Sequence, residues 1–108
     1  MANIFRRKLS QNVGADAEQI GTFIASTTTI VVGLSVTNIT GSAITANVFV
    51  NDGSANTRLV VNGPISAGSS LVVIGGDQKL VLESGDSIYV QSSTATSIDA
   101  IMSIMEIV

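Results

Sequence analysis

The chain has 108 residues, enough for one domain and one core, with 45% apolar residues, 12% charged residues and a net charge of −3. It carries no His, Cys or Trp, which removes disulfides, thiolate metal sites and imidazole chemistry near neutral pH. Charge runs at about half the usual share of roughly 25%, so Ser, Thr and Asn must supply the polar surface, and little net charge keeps copies apart.

Residues 1–18 differ from the rest. They hold three of the five basic residues in one block, Arg6-Arg7-Lys8, followed by the loop-like Asn12-Val13-Gly14-Ala15-Asp16-Ala17-Glu18. This reads as an extended N-terminal arm or edge strand with a flexible joint, set apart from a single domain at 19–108. Fully extended, residues 1–13 reach on the order of 40 Å, far enough to cross a neighbouring subunit. In that role Ile4, Phe5 and Leu9 are apolar anchors, and Arg6, Arg7 and Lys8 meet acidic patches on a partner. A nucleic-acid surface pairs a broad basic face with stacking aromatics, and only Phe5 lies near this block, so no nucleic-acid partner is expected. The N-terminal charges precede no apolar stretch, which argues against a secretory signal. The longest apolar-rich run, Ile30–Val36, is far short of the about 20 residues of a membrane helix. Synthesis and retention in a cytoplasm are expected, with no membrane partner.

From Gln19 onward turn residues recur at Gly41-Ser42, Asp52-Gly53, Gly63-Pro64, Gly76-Asp77, Gly85-Asp86 and Thr94-Ala95, with β-branched apolar runs between them. That spacing predicts an all-β antiparallel β-sandwich, jelly-roll or Ig-like, of about eight short strands. The strands are expected at Gln19–Ile24, Thr28–Asn38, Ile44–Asn51, Thr57–Val61, Ser70–Ile74, Lys79–Leu82, Ser87–Gln91 and Ile98–Val108. In the second, alternation points Ile30, Val32, Leu34 and Val36 one way and Val31, Gly33, Ser35 and Thr37 the other. Gly63 and Pro64 are expected to close the Thr57–Val61 strand. The last segment also fits an amphipathic helix, with Asp99, Ser103 and Glu106 on one side, but its four isoleucines favour a strand.

As a strand, that segment sends Ile98, Ala100, Met102, Ile104 and Val108 to one face and Ile101, Met105 and Ile107 to the other. One face of an antiparallel sandwich strand meets the core and the other meets water. The second set, together with Val31, Phe49 and the Leu71–Val73 region, is therefore surplus to one core. Grouped exposed apolar residues mark an interface, so Ile101, Met105 and Ile107 are assigned to subunit contact.

The acids carry no catalytic pattern. Asp52, Asp77 and Asp86 each adjoin a glycine, where Asp serves a turn by accepting from nearby amides. Gly75-Gly76-Asp77 lacks the acid spacing of a calcium loop and the Lys-Ser/Thr of a phosphate loop. Asn38-Ile39-Thr40 matches a glycosylation sequon, but is read as the approach to a turn. Four aromatics without Trp poorly suit a glycan platform. No enzyme activity, cofactor or metal is expected.

Three stretches, Ser26–Ile39, Ile65–Leu71 and Lys79–Val90, together with the ending Ser103–Ile107, resemble small structural proteins of tailed bacteriophage virions, especially those infecting aquatic bacteria. The resemblance implies a β-sandwich particle component present in many copies. The primary expectation is a capsid decoration (cement) protein. It would clamp the major capsid protein or other virion subunits through its N-terminal arm and apolar outer strand faces, as a homo-oligomer with a trimer favoured. A neck, tail or baseplate component is the alternative, and a receptor- or glycan-binding module the second.

Overall fold

A computed structural model describes residues 3–107. In chain order its strands are β1 (Asn3–Val13), β2 (Glu18–Gln19), β3 (Thr29–Asn38), β4 (Ile44–Asn51), β5 (Asn56–Ile65), β6 (Ser70–Ile74), β7 (Leu80–Leu82), β8 (Ser87–Ser92) and β9 (Ile98–Ile107). One sheet runs β1-β9-β3-β6 with β7 also on β3; the other runs β2-β8-β4-β5. All pairings are antiparallel. First pairs with last and second with next to last, which is the double Greek-key winding of a jelly roll rather than the Ig order.

The core lies between the sheets. From β9 it takes Ile98, Ala100, Met102 and Ile104, all buried, as strand alternation requires. β3 supplies Val31, Leu34 and Val36; β4 supplies Ile44, Ala46 and Val48; β8 supplies Ile88 and Val90. The final segment is thus a strand, and Val108 lies outside the described residues.

Four local expectations are corrected. Of the two forms expected for the N-terminal segment, the edge strand holds and the arm set apart from the domain does not. Residues 3–13 form the edge strand of the larger sheet, in register with β9 from Asn3↔Ile107 to Val13↔Ile98, with Val13 fully buried. The alternation Ile4/Arg6/Lys8 against Phe5/Arg7/Leu9 puts apolar and basic residues on both faces, so the pattern leaves arm and edge strand equally open and tertiary pairing decides for the strand. The strand expected at Gln19–Ile24 breaks off after Gln19 into a 3-10 turn, Ile20–Thr22. There Gly21 (φ 61°) and Thr22 (φ 50°) turn left-handed, and a Cβ on Gly21 would sit 2.7 Å from Lys8 Cβ, so only glycine fits against β1. In β3 the pairing steps from Val31↔Ile104 to Gly33↔Ser103, leaving Val32 as an extra residue. That bulge flips the alternation, so Val31 rather than Ile30 joins the core. Finally, β5 runs on through Gly63 and Pro64, because an edge strand tolerates a missing donor.

Candidate functional site

Residues opposite each other in paired strands point to the same face. On the outer face of the larger sheet the registers line up Phe5, Met105, Ile30 and Val81 across β1, β9, β3 and β7. A second line joins Leu9, Ile101, Ser35 and Val72 across β1, β9, β3 and β6. Between them lie Arg7, Ser103 and Gly33, a low polar strip. Each apolar line spans four strands, about 14 Å, and the two lie four residues apart along the chain, about 13 Å.

These side chains are open to solvent: Phe5 is 72% exposed, Val72 65%, Val81 57% and Ile101 53%. Met105 and Ile30, on the inner strands of the row, are half-buried. The core is complete without them, so their burial requires another molecule. A shallow concavity of about 120 Å³ beside the second line is bounded by Leu9, Gln11, Asp99 and Ile101.

The residues singled out from sequence divide between two faces. Phe5, Arg7 and Leu9 stand on the outer face with Ile101, Met105 and Ile107. Ile4, Arg6 and Lys8 stand on the opposite face of β1, level with Glu106, Ile104 and Met102. There Arg6 Nε donates to Glu106 Oε1 at 2.6 Å, and Lys8 Nζ lies 5.1 Å from the centre of the Phe23 ring. The basic block is thus partly spent within its own copy. Ile30 and Val81 were missed by the sequence reading. Val81 was legible as the middle of Leu80-Val81-Leu82, whereas Ile30 was hidden by the bulge at Val32.

Two members of the apolar surplus do not belong to the patch. Val31 is core. Phe49 points outward from the smaller sheet yet is only 6% exposed, because Tyr89 stacks on it (centroids 5.5 Å apart, 1° between planes) and the Arg58 guanidinium covers it at 4.9 Å. Gln19 Nε2 donates to the Tyr89 hydroxyl at 3.4 Å and extends this ladder. Stacking and cation–π contact contribute about 0.5–1.5 kcal/mol each.

Three of the acids, Asp52, Asp86 and Asp99, serve the backbone. Asp52 Oδ1 accepts from the amides of Ala55 (2.8 Å) and then Ser54 (2.9 Å), which holds its carboxyl below the ordinary carboxylate range. Asp86 Oδ2 accepts from Glu83 N and Asp99 Oδ1 from Asn12 N. Asn38 of the sequon is fully buried, its Nδ2 bonded to the carbonyls of Ser42 (2.7 Å), Ile65 (3.1 Å) and Ser66 (3.2 Å), so the amide is not presented for glycosylation.

No family model matches the chain, and none of the curated proteins searched matches it in sequence. Among solved structures it is similar to a Bacillus endospore appendage subunit of a family of disulfide-linked pili (18% identity, 96% of this chain and 87% of that one, TM-score 0.63). It also overlaps a pentameric capsid protein from metagenomic phage sequences (18% identity, 94% and 59% coverage, TM-score 0.49). A third overlap is with the Eiger TNF of S. frugiperda (10% identity, 83% and 64% coverage, TM-score 0.47). The chain spans about three fifths of the capsid protein's length. At these identities the likeness concerns the fold, and function must be argued from the surface.

Proposed function

We propose that this chain is a structural subunit of a virion, a capsid decoration protein that binds neighbouring subunits through the outer face of its larger sheet. The observation that carries this reading is the pair of apolar rows, Phe5–Met105–Ile30–Val81 and Leu9–Ile101–Val72, on a domain whose core is already full. The attachment device is not a free arm but β1 within that face, contributing Phe5, Arg7 and Leu9. Many modest contacts repeated by symmetry would then hold a shell against internal pressure.

A second reading, a subunit of a filament, draws support from the match to the endospore appendage over nearly the whole chain. Those pili are disulfide-linked, whereas this chain has no cysteine, so a filament of it would be held without covalent links.

Ile101→Lys tests the reading. The position is exposed, so thermal melting should be unchanged, while a buried lysine in the contact should lower particle occupancy at least tenfold, about 1.4 kcal/mol or more. Unchanged occupancy contradicts the assignment of this face. Imaging of wild-type particles separates the variants of the proposal: density over the icosahedral lattice supports decoration, density at one vertex a neck, tail or baseplate component, and free fibres the filament.

A further inference from the structure

We propose that copies of this chain join edge to edge, with β1 of one copy adding as a further strand beside the β6–β7 edge of the next. This rests on the reading of the chain as an assembly subunit and names its neighbour, a second copy. β1 and β6–β7 are the two flanks of the larger sheet, and among the described residues neither pairs on its free side. An edge of eleven residues with a line of unmet N–H and C=O groups is a template for another strand.

Direction and register both suit this contact. Three antiparallel steps separate β1 from β7, so the two run in opposite senses. Sliding a copy sideways by four strand positions, about 19 Å, therefore sets its β1 antiparallel to β7. The slide keeps every row level: Phe5 arrives beside Val81 and Leu9 beside Val72, so both apolar lines continue from copy to copy. A slip of one residue would set outward side chains against inward ones.

Charge selects the same arrangement. Arg7, level with Ser103 and Gly33, arrives at the Gly75–Lys79 connection between β6 and β7, which presents Asp77 while Lys79 is folded back onto the Gly76 carbonyl. In the smaller sheet the slide brings β2 beside β5. The ladder Gln19–Tyr89–Phe49–Arg58 ends on Arg58, beside which the next copy brings Gln19, so this outer row also continues from copy to copy. Pairing β1 with β1 instead would set Arg6, Arg7 and Lys8 against themselves, which is destabilising. The contact is head-to-tail, so it closes into a ring where the rotation allows, three copies for a trimer, and otherwise continues as a fibre.

The absence of native cysteine makes the register testable by cross-linking. A chain carrying both Phe5→Cys and Val81→Cys should, on mild oxidation of concentrated protein and of assembled particles, give a non-reducing ladder of dimers, trimers and higher species. Within one copy these positions lie three strand spacings apart, about 14 Å, too far for a disulfide. The pair Phe5→Cys and Val72→Cys is four residues out of register and should cross-link at least tenfold less. An absent ladder, an equal yield from the off-register pair, or dimers at equal yield from Phe5→Cys alone would overturn the proposal. If cross-linking fails while Ile101→Lys still abolishes occupancy, edge pairing falls and the assembly face stands; a ladder with unchanged occupancy is the reverse.

Discussion

A chain lacking residues 1–13 is expected to lose its cooperative melting transition and to bind a hydrophobic dye at room temperature. β1 meets β9 at nine register positions and brings the fully buried Val13 into the core. Its ladder bonds, at about 1 kcal/mol net each, together with the lost apolar burial, amount to roughly 8–10 kcal/mol. That is comparable to the whole stability of a domain this size, about 5–15 kcal/mol. Removal also leaves β9, which carries Ile98, Met102 and Ile104, with an unpaired flank. Arg6→Gln with Arg7→Gln separates strand from charge. The first loses a partly exposed ion pair with Glu106, the second a surface charge, together about 1 kcal/mol or less. That variant should melt close to wild type. A truncated chain that melts cooperatively would show that residues 3–13 are dispensable to the body.

Asn38→Ala should destabilise the domain by about 3–5 kcal/mol, a fall in Tm on the order of 15–25 °C. The side chain is the buried knot of one end of the sandwich. Its Nδ2 reaches the carbonyls of Ser42 in one connection, of Ile65 at the end of β5 and of Ser66 just after it, and its Oδ1 accepts from Thr40 N at 2.9 Å. Alanine removes the partner of all four backbone groups at once and leaves the buried Ile65 carbonyl with no donor in its place. Asn38→Asp keeps the shape but turns a donor into an acceptor facing three carbonyls, so burial and those dipoles raise the carboxyl pKa in the folded state. The protonated form is then the one that folds best. Its stability is full below the unfolded value near pH 4 and declines as pH rises through the raised folded value. Melts at pH 4 and pH 7 should therefore diverge for Asn38→Asp, with the lower Tm at pH 7, and equal melts would contradict the donor role.

The strand pattern was largely legible because turn residues punctuate it. Ile44–Asn51 and Ser70–Ile74 are strands with the expected bounds, and the outward placement of Ile101, Met105 and Ile107 follows from simple alternation in β9. What alternation cannot carry is an interruption. The extra residue Val32 inverted the faces of Thr29–Val31, and with them the position of Ile30 in the exposed row. The left-handed pair Gly21-Thr22 ended a strand that apolar residues alone would have prolonged. β1 was legible only as an edge strand or an arm, for another reason: both its faces are in use, one against solvent with Phe5 and Leu9, the other with Ile4, Arg6 and Lys8 beside Glu106 and Phe23. A strand with two mixed faces has no period to read. Phe49 shows the converse, an outward aromatic that satisfies itself within one copy through Tyr89 and Arg58.

Alkylation of a single introduced thiol at Ile101→Cys, in free protein and in intact particles, bears most directly on the exposed rows. With no native cysteine, the signal comes from that position alone. Fast reaction in the free domain and strong protection in the particle, with Asn47→Cys on the smaller sheet reactive in both, is the result that burial of this sheet face by other subunits predicts. Equal reactivity at Ile101→Cys in the two states would mean that nothing covers the face, and that its apolar residues do not serve assembly.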